Sequence, residues 1–210
     1  MRIHQILNNE EKLYKGTLSY YFKIMVLHAT NLNNPYHNMR HMLHVMWMCY
    51  QACVYYKDQL TKEEMRILLI AAIFHDFDHL GRGGLDGVNI QLALLALHKH
   101  CAPEDRKNVS KIGALLRVTE YPHRFDESTL TLSECILLDA DMSQAFSDAW
   151  IQQIVVGLGT ELSRSVPEML AGQKAFLDNI QPYSSWGREW MTEKKKRVID
   201  EAEALLAMLV

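Results

Sequence analysis

Two short stretches concentrate the residue types that bind metals and move protons. Residues 36–41 read YHNMRH, and His37 and His41 stand four apart. On a helix they would share one face. His44 lies one turn further along, near the same stripe. Residues 75–79 read HDFDH and follow ILLIAAIF, the most apolar helical stretch of the chain. An apolar helix delivers its end to the interior. There the adjacent His75 and Asp76 would be costly unless paired or bound to a metal. Neutral imidazole and carboxylate are good ligands for zinc, manganese or iron. A third acidic group, Asp139 and Asp141, again follows apolar residues. Only one of these two can face the site, and the residues alone do not choose between them.

These side chains need helices to hold them, and the chain reads as helical throughout. It has 210 residues, 49% hydrophobic and 22% charged, which suits one globular domain with a sizeable core. Apolar residues recur at helical spacing, and β-branched alternation is scarce. Leu13, Leu18, Tyr21, Met25 and Leu27 predict a helix within residues 10–28. Residues 31–35, NLNNP, read as a loop. A helix is expected over 36–57, with Pro35 near its first turn. Thr61 and Glu64 form a capping box that opens a helix running to Phe74. Residues 80–87, LGRGGLDG, predict a loop because of their glycines. Helical pattern resumes near Val88 and again after Pro103. Thr131 and Glu134 make a second capping box before a helix over 135–146. Two or three further helices follow, broken near 157–160 and 180–185. The expectation is one all-α domain over residues 1–210, a compact helical bundle.

The rest of the composition excludes several classes. The net charge is −3, with neither a basic excess nor an acidic tail, so no nucleic-acid partner is expected. The longest apolar stretch, residues 67–74, is too short to cross a bilayer, and the N-terminus lacks a signal core. A cytoplasmic protein without a membrane partner is therefore expected. Cys49, Cys53, Cys101 and Cys135 form no C-x-x-C pair and read as reduced, buried thiols. His4, His28, His98, His100 and His123 belong to no pattern, and His44 reads as a packing residue. Met42, Met46, Trp47 and Met48 read as core. Lys194, Lys195, Lys196 and Arg197 read as a solvated helix face.

The spaced pattern H…HD…D resembles the HD-domain metal-dependent phosphohydrolases. The fuller pattern resembles the class I 3′,5′-cyclic nucleotide phosphodiesterases. YHNMRH and HDFDH match that family's Y-H-N-x-x-H and H-D-x-D-H-x-G, with Gly81 as the final glycine. ADMSQ (140–144) is similar to its A-D-L-S-N, and GQKAFLDNIQPYSSW (172–186) to its S-Q-x-x-F-I-D segment and following tryptophan. VTEYPHR (118–124) is more faintly similar to its A-T-D stretch. The matches fall in family order over residues 36–186.

The resemblance implies roles. His41, His75, Asp76 and Asp141 would hold a tightly bound metal, usually zinc. Asp76 would also bridge to a second, usually magnesium or manganese. His37 would protonate the leaving oxygen, and His79 would lie close to the phosphate. Gln173 would hydrogen-bond the base and Phe176 pack on its face. Tyr36 and Asn89 complete the expected substrate-binding set, Asn89 standing for a family asparagine displaced by the longer glycine-rich loop. Two metals would neutralise the phosphodiester and lower the pKa of a bridging water, and an imidazolium would protonate the ribose 3′ oxygen. The chain is shorter than the family's catalytic domain and is expected to lack much of its N-terminal helical layer. Gln144 stands where the family usually has asparagine. The reaction implied is hydrolysis of cyclic AMP or cyclic GMP to the 5′-monophosphate. An HD-type phosphohydrolase acting on nucleoside monophosphates or another small phosphate ester is the alternative, and a non-catalytic HD-like binding scaffold the third reading.

Overall fold

The computed structural model describes residues 2–83, 86–123 and 125–209. In chain order the α-helices are α1 (Ile3–Leu7), α2 (Ser19–His28), α3 (Met39–Tyr55), α4 (Lys62–Phe74) and α5 (Asp86–His100). They continue as α6 (Val109–Val118), α7 (Leu132–Met142), α8 (Gly159–Glu161), α9 (Val166–Asn179) and α10 (Ser185–Ala207). Short 3₁₀ turns and a π-helical stretch, Ile151–Leu158, link them. Among the described residues there is no strand, and no helix is long and apolar enough to cross a membrane.

The apolar sequence of α4 explains the architecture. Every residue from Met65 to Phe74 is buried, so α4 must be wrapped on all sides. It packs against α2, α3, α5, α6 and α7. Met42, Met46 and Met48 are fully buried in this cluster, as the sequence indicates. A second cluster packs Tyr36, from the loop before α3, against Phe146, Trp150, Ile154, Leu177 and Val198 of the C-terminal part of the chain. The four cysteines are free and buried.

Local chemistry sets several helix starts. The Thr61–Glu64 and Thr131–Glu134 boxes both form, each hydroxyl accepting the N–H three residues on while the glutamate accepts the N–H of the cap. Ser165 and Glu168 form a third box, opening α9.

Several expected boundaries move. Residues 10–28 are not one helix. Asn9, Lys12 and Gly16 adopt left-handed φ of 53°, 54° and 72°. The Asn9 side chain bonds the backbone of Tyr14 and Gly16, competing with helix formation. The helix begins only at Ser19 and leaves Leu27 exposed. The helix expected from Tyr36 starts at Met39, because Asn38 is its cap and accepts from Arg40 N and His41 N. The helix expected to reach Phe146 ends at Met142 and tightens into a 3₁₀ turn over Ser143–Phe146. There is no break at 157–160, where the π-helix runs directly into α8. A Cβ on Gly157 would sit 2.7 Å from the Pro35 carbonyl oxygen, so this glycine serves close packing rather than a turn. In the glycine-rich loop, Gly84 and Leu85 lie outside the described residues, as does Arg124 of the 118–124 stretch. Gly87 already belongs to α5.

Candidate metal centre and active-site cavity

The ends of three helices converge on one point. His41 comes from the first turn of α3, His75 and Asp76 follow α4, and Asp141 lies near the end of α7. His75 Nδ1 donates to the Ala72 carbonyl at 2.9 Å, and His41 Nδ1 to Gln144 Oε1 at 2.8 Å. In the neutral rings both Nε2 atoms are therefore bare acceptors. They lie 3.1 Å apart. His41 Nε2 is 3.2 Å from Asp76 Oδ2 and 3.0 Å from Asp141 Oδ1. His75 Nε2 is 3.1 Å from Asp76 Oδ2 and 3.5 Å from Asp141 Oδ1. Asp76 Oδ2 is buried and makes no hydrogen bond of proper geometry, despite these short distances.

Lone pairs that face one another this closely require positive charge between them. The protonation balance says the same. Burial pushes His41 down, but Asp141 and Asp76 outweigh it and take it up to about 9. His75 is driven up by the same two carboxylates against its own burial. The donor set, two imidazole nitrogens and two carboxylates, suits a divalent cation such as zinc. His41, His75 and Asp141 offer ligand atoms all within 4.8 Å of one another. Asp139 turns away, accepting from Tyr183 N at 2.7 Å and Ser184 N at 2.8 Å. A Cβ on Gly187 would meet its Oδ2 at 2.1 Å. Asp141 is thus the aspartate that reaches the imidazoles.

His37 stands beside this centre, off the helix rather than on it. Its ring still comes within 5.7 Å of the His41 ring. Glu161 holds it, with Oε2 accepting from His37 Nδ1 at 2.5 Å and Oε1 from Tyr36 N at 2.8 Å and His37 N at 2.9 Å. Burial pushes the Glu161 carboxyl up, but the bonds from His37 and Tyr36 outweigh it and hold it below the usual value. Nδ1–H donation to Glu161 leaves His37 Nε2 for other work. The His79 ring stacks on His37, with centroids 3.7 Å apart. Its Nδ1 accepts from Gly81 N at 3.0 Å and its Nε2 faces Asn89 Nδ2 at 2.8 Å. His79 lies close to His37 and Asp76, and the three offer ligand atoms all within 4.8 Å of one another. Burial takes His79 down to about 4, so the ring is neutral.

One asparagine ties the two histidine motifs together. Asn31 is buried and its Nδ2 donates to the carbonyls of His37 and Asp76, both at 2.8 Å. Its Oδ1 accepts from Asp78 N at 3.1 Å. Neither Asn31 nor Glu161 stands out in the sequence. The first lies in a segment that reads only as a loop, and the second is a lone acid beyond an expected helix break. His44 packs, as expected, with Nε2 2.8 Å from Ser143 Oγ.

A cavity of about 750 Å³ opens over the centre. Tyr36, His37, Asp76, His79, Asn89 and Asp141 line it, together with Gln173 and Phe176 from α9. His41 and His75 lie buried behind this wall. Tyr36 packs its ring 4.7 Å from those of His37 and His41, and burial keeps its hydroxyl protonated. Gln173 is buried, and its Nε2 has no hydrogen-bond partner.

An all-α bundle with a buried His/Asp cluster under a ligand-sized cavity defines a metal-dependent class of protein. The family model for 3′5′-cyclic nucleotide phosphodiesterase matches residues 36–155, more than half of the chain, and the chain belongs to that family. The family is metal-dependent, and the His/Asp cluster fits that requirement. The chain is similar to the high affinity cGMP-specific 3′,5′-cyclic phosphodiesterase 9A of Homo sapiens, 28% identical over 87 residues. That match covers 38% of this chain and 14% of the relative. The protein of the same name from Mus musculus is 26% identical over 87 residues, covering 38% and 15%. The chain thus spans a small part of the length of these relatives.

Proposed function

We propose that this chain hydrolyses 3′,5′-cyclic nucleotides to 5′-monophosphates, with residues 1–210 forming one HD/PDEase-like domain around the 36–186 signature region. The observation that carries the reading is the pair of bare Nε2 atoms on His41 and His75, set among two carboxylates and next to a histidine anchored by Glu161. His41, His75, Asp76 and Asp141 would hold the tight metal, zinc by the character of the donors, and Asp76 would also face a second, magnesium or manganese. When bound, these metals supply Lewis-acid neutralisation of the phosphate and activation of a water.

The residues of the chain do the rest. Water oxygen bonds to phosphorus, the bond from phosphorus to the ribose 3′ oxygen breaks, and His37 Nε2 gives its proton to that oxygen. Glu161 fixes the tautomer and stabilises the imidazolium. His79 acts by stacking on His37 rather than by touching phosphate, and Asn89 fixes the His79 ring. Tyr36 walls the site, Phe176 packs on the base and Gln173 bonds its edge. The Gln173 amide can donate to guanine O6 or adenine N1 and accept from guanine N1 or the adenine amino group, so it can serve either purine. Cyclic GMP is the mononucleotide we favour, following the names of the two relatives.

The test is turnover by purified, metal-analysed protein offered cyclic AMP, cyclic GMP and 5′-AMP with zinc, magnesium or manganese. Formation of the 5′-monophosphate from a cyclic substrate, abolished by chelator, is expected. Phosphate release from 5′-AMP alone would refute the proposal and move the protein to the nucleotidase branch.

A further inference from the structure

Two arginines on the cavity wall have no part in the chemistry above. Arg82 and Arg164 both line the cavity, and among the described residues neither side chain has a hydrogen-bond or ion-pair partner. Each is thrown onto the wall by a turn that follows a site residue. Gly81, left-handed at φ 67°, donates its N–H to His79 and precedes Arg82. Ser163, left-handed at φ 54°, ends α8 just beyond Glu161. Ser163 N donates to Thr160 O at 3.2 Å and Arg164 N to Gly159 O at 2.9 Å, a Schellman cap that places Arg164. The two turns touch, since a Cβ on Gly83 would lie 3.0 Å from Leu162 Cδ2. Arg82 and Arg164 therefore stand on adjoining turns of one cavity wall. Of the acids on this wall, Glu168 accepts from Ser165 N and Oγ and feels the Arg164 charge, Asp86 accepts from Tyr121 N, and Glu120 lies beside Gly87; none is in ion-pair contact with either arginine among the described residues.

Two guanidinium groups on the wall of the cavity that holds the His/Asp cluster suit an anion beyond the one at that cluster. A cyclic mononucleotide has a single phosphate, which the metal centre takes. The wall also carries a second aromatic surface. Tyr121 is 56% exposed and lines the cavity with His123, their rings 5.6 Å apart. This surface lies on the segment after α6, whereas Phe176 lies on α9. The cavity, at about 750 Å³, is in the upper part of the range of about 300–1,000 Å³ usual for ligand sites.

We propose that the Arg82–Arg164 rim binds a second phosphate of the substrate, so that the preferred substrate class is 3′,5′-cyclic dinucleotides rather than cyclic mononucleotides. One phosphodiester is cut at the metal centre, the second sits on the rim, and the bases use Phe176 and Tyr121. Water adds to the first phosphorus, the 3′ oxygen leaves with the proton of His37, and the product is a linear dinucleotide with a terminal 5′-phosphate. This inference rests on the phosphodiesterase reading of the site.

The experiment compares kcat/KM for cyclic di-GMP and cyclic GMP in the wild type, R82A, R164A and the double variant. A parallel arm measures binding of linear 5′-pGpG and of 5′-GMP to metal-free protein. The expected result is a preference for the dinucleotide that falls by about tenfold or more for each arginine removed, with cyclic GMP turnover unchanged. Binding of 5′-pGpG, but not of 5′-GMP, should weaken alike. Equal losses on both cyclic substrates, or no loss on either, would overturn the proposal. Hydrolysis of neither substrate by the metal-loaded wild type would overturn the phosphodiesterase reading itself. The binding arm still decides the rim in that case, because unchanged 5′-pGpG affinity in the double variant overturns it.

Discussion

Glu161→Gln is the sharpest perturbation of the proposed mechanism, because it changes one atom at a site where three hydrogen bonds meet. The wild-type carboxylate accepts all three, from Tyr36 N, His37 N and His37 Nδ1. In the glutamine, one oxygen can still accept from the two backbone N–H groups. The new –NH₂ must then face His37 Nδ1, which is possible only if Nδ1 becomes an acceptor and the ring proton moves to Nε2. The imidazolium also loses its counter-charge. General acid catalysis contributes about 10²–10⁴-fold, and that range is the ceiling on the loss. We expect kcat to fall by about 10²–10³-fold, since the backbone bonds keep the ring in place. KM should change by less than about threefold, since the ground-state contacts remain. Glu161→Asp keeps the charge and should recover part of the rate. Metal content should equal that of the wild type, because Glu161 touches no proposed ligand. The assay is steady-state hydrolysis of cyclic GMP with metal analysis of the same samples. A Glu161→Gln protein retaining a third or more of wild-type kcat would refute the proton-donor role of His37.

Four other outcomes are expected. Zinc should raise the Tm of wild-type protein, with about 2.7 kcal/mol of added stability at one hundred times its Kd, and should leave His41→Ala and Asp141→Asn unmoved. An equal zinc shift in those variants, read by differential scanning calorimetry, would rule out the proposed centre. Gln173→Ala should raise KM for cyclic GMP about tenfold while leaving denaturant stability unchanged or slightly higher, since the buried Nε2 has no partner to lose in the free protein; unaltered KM would remove Gln173 from the base site. Gly187→Ala should cost about 2–4 kcal/mol in urea unfolding, because its Cβ would displace Asp139 from two backbone N–H groups. Gly172→Ala, with open space around its Cβ, should instead stabilise α9 by about 0.5–1 kcal/mol. Equal effects of the two glycine changes would contradict the packing described.

The sequence is most legible where a local rule decides the outcome. The capping boxes at Thr61 and Thr131 involve only four residues each, and both form as their spacing predicts. The apolar run before His75 requires a wrapped helix, and α4 is wrapped. Legibility ends where distant backbone intervenes. The expected break at 157–160 is absent because Gly157 is set by Pro35, far away in the sequence. Helical spacing correctly brings His37 and His41 near each other, but for the wrong reason. Asn38 caps α3 between them, so it is Glu161, 124 residues on, that aims His37. Asp139 and Asp141 are indistinguishable by type and neighbourhood. They separate only when the segment before α10 arrives and presents the N–H groups of Tyr183 and Ser184 to Asp139. Gln173 and Phe176 look like ordinary helix-face residues until the cavity over the His/Asp cluster reaches them.

The three bonds of Asn31 carry a consequence for the ageing of the protein. Its amide nitrogen is shared between the carbonyls of His37 and Asp76, so the spacing of the proposed proton donor and the proposed metal ligand depends on two N–H bonds from one side chain. Deamidation would release ammonia and leave a carboxylate oxygen against two carbonyl oxygens, turning both attractions into repulsions. The two motifs would be pushed apart with every catalytic side chain chemically intact. A stored preparation could thus lose its activity through a one-dalton change at a residue that never meets the substrate.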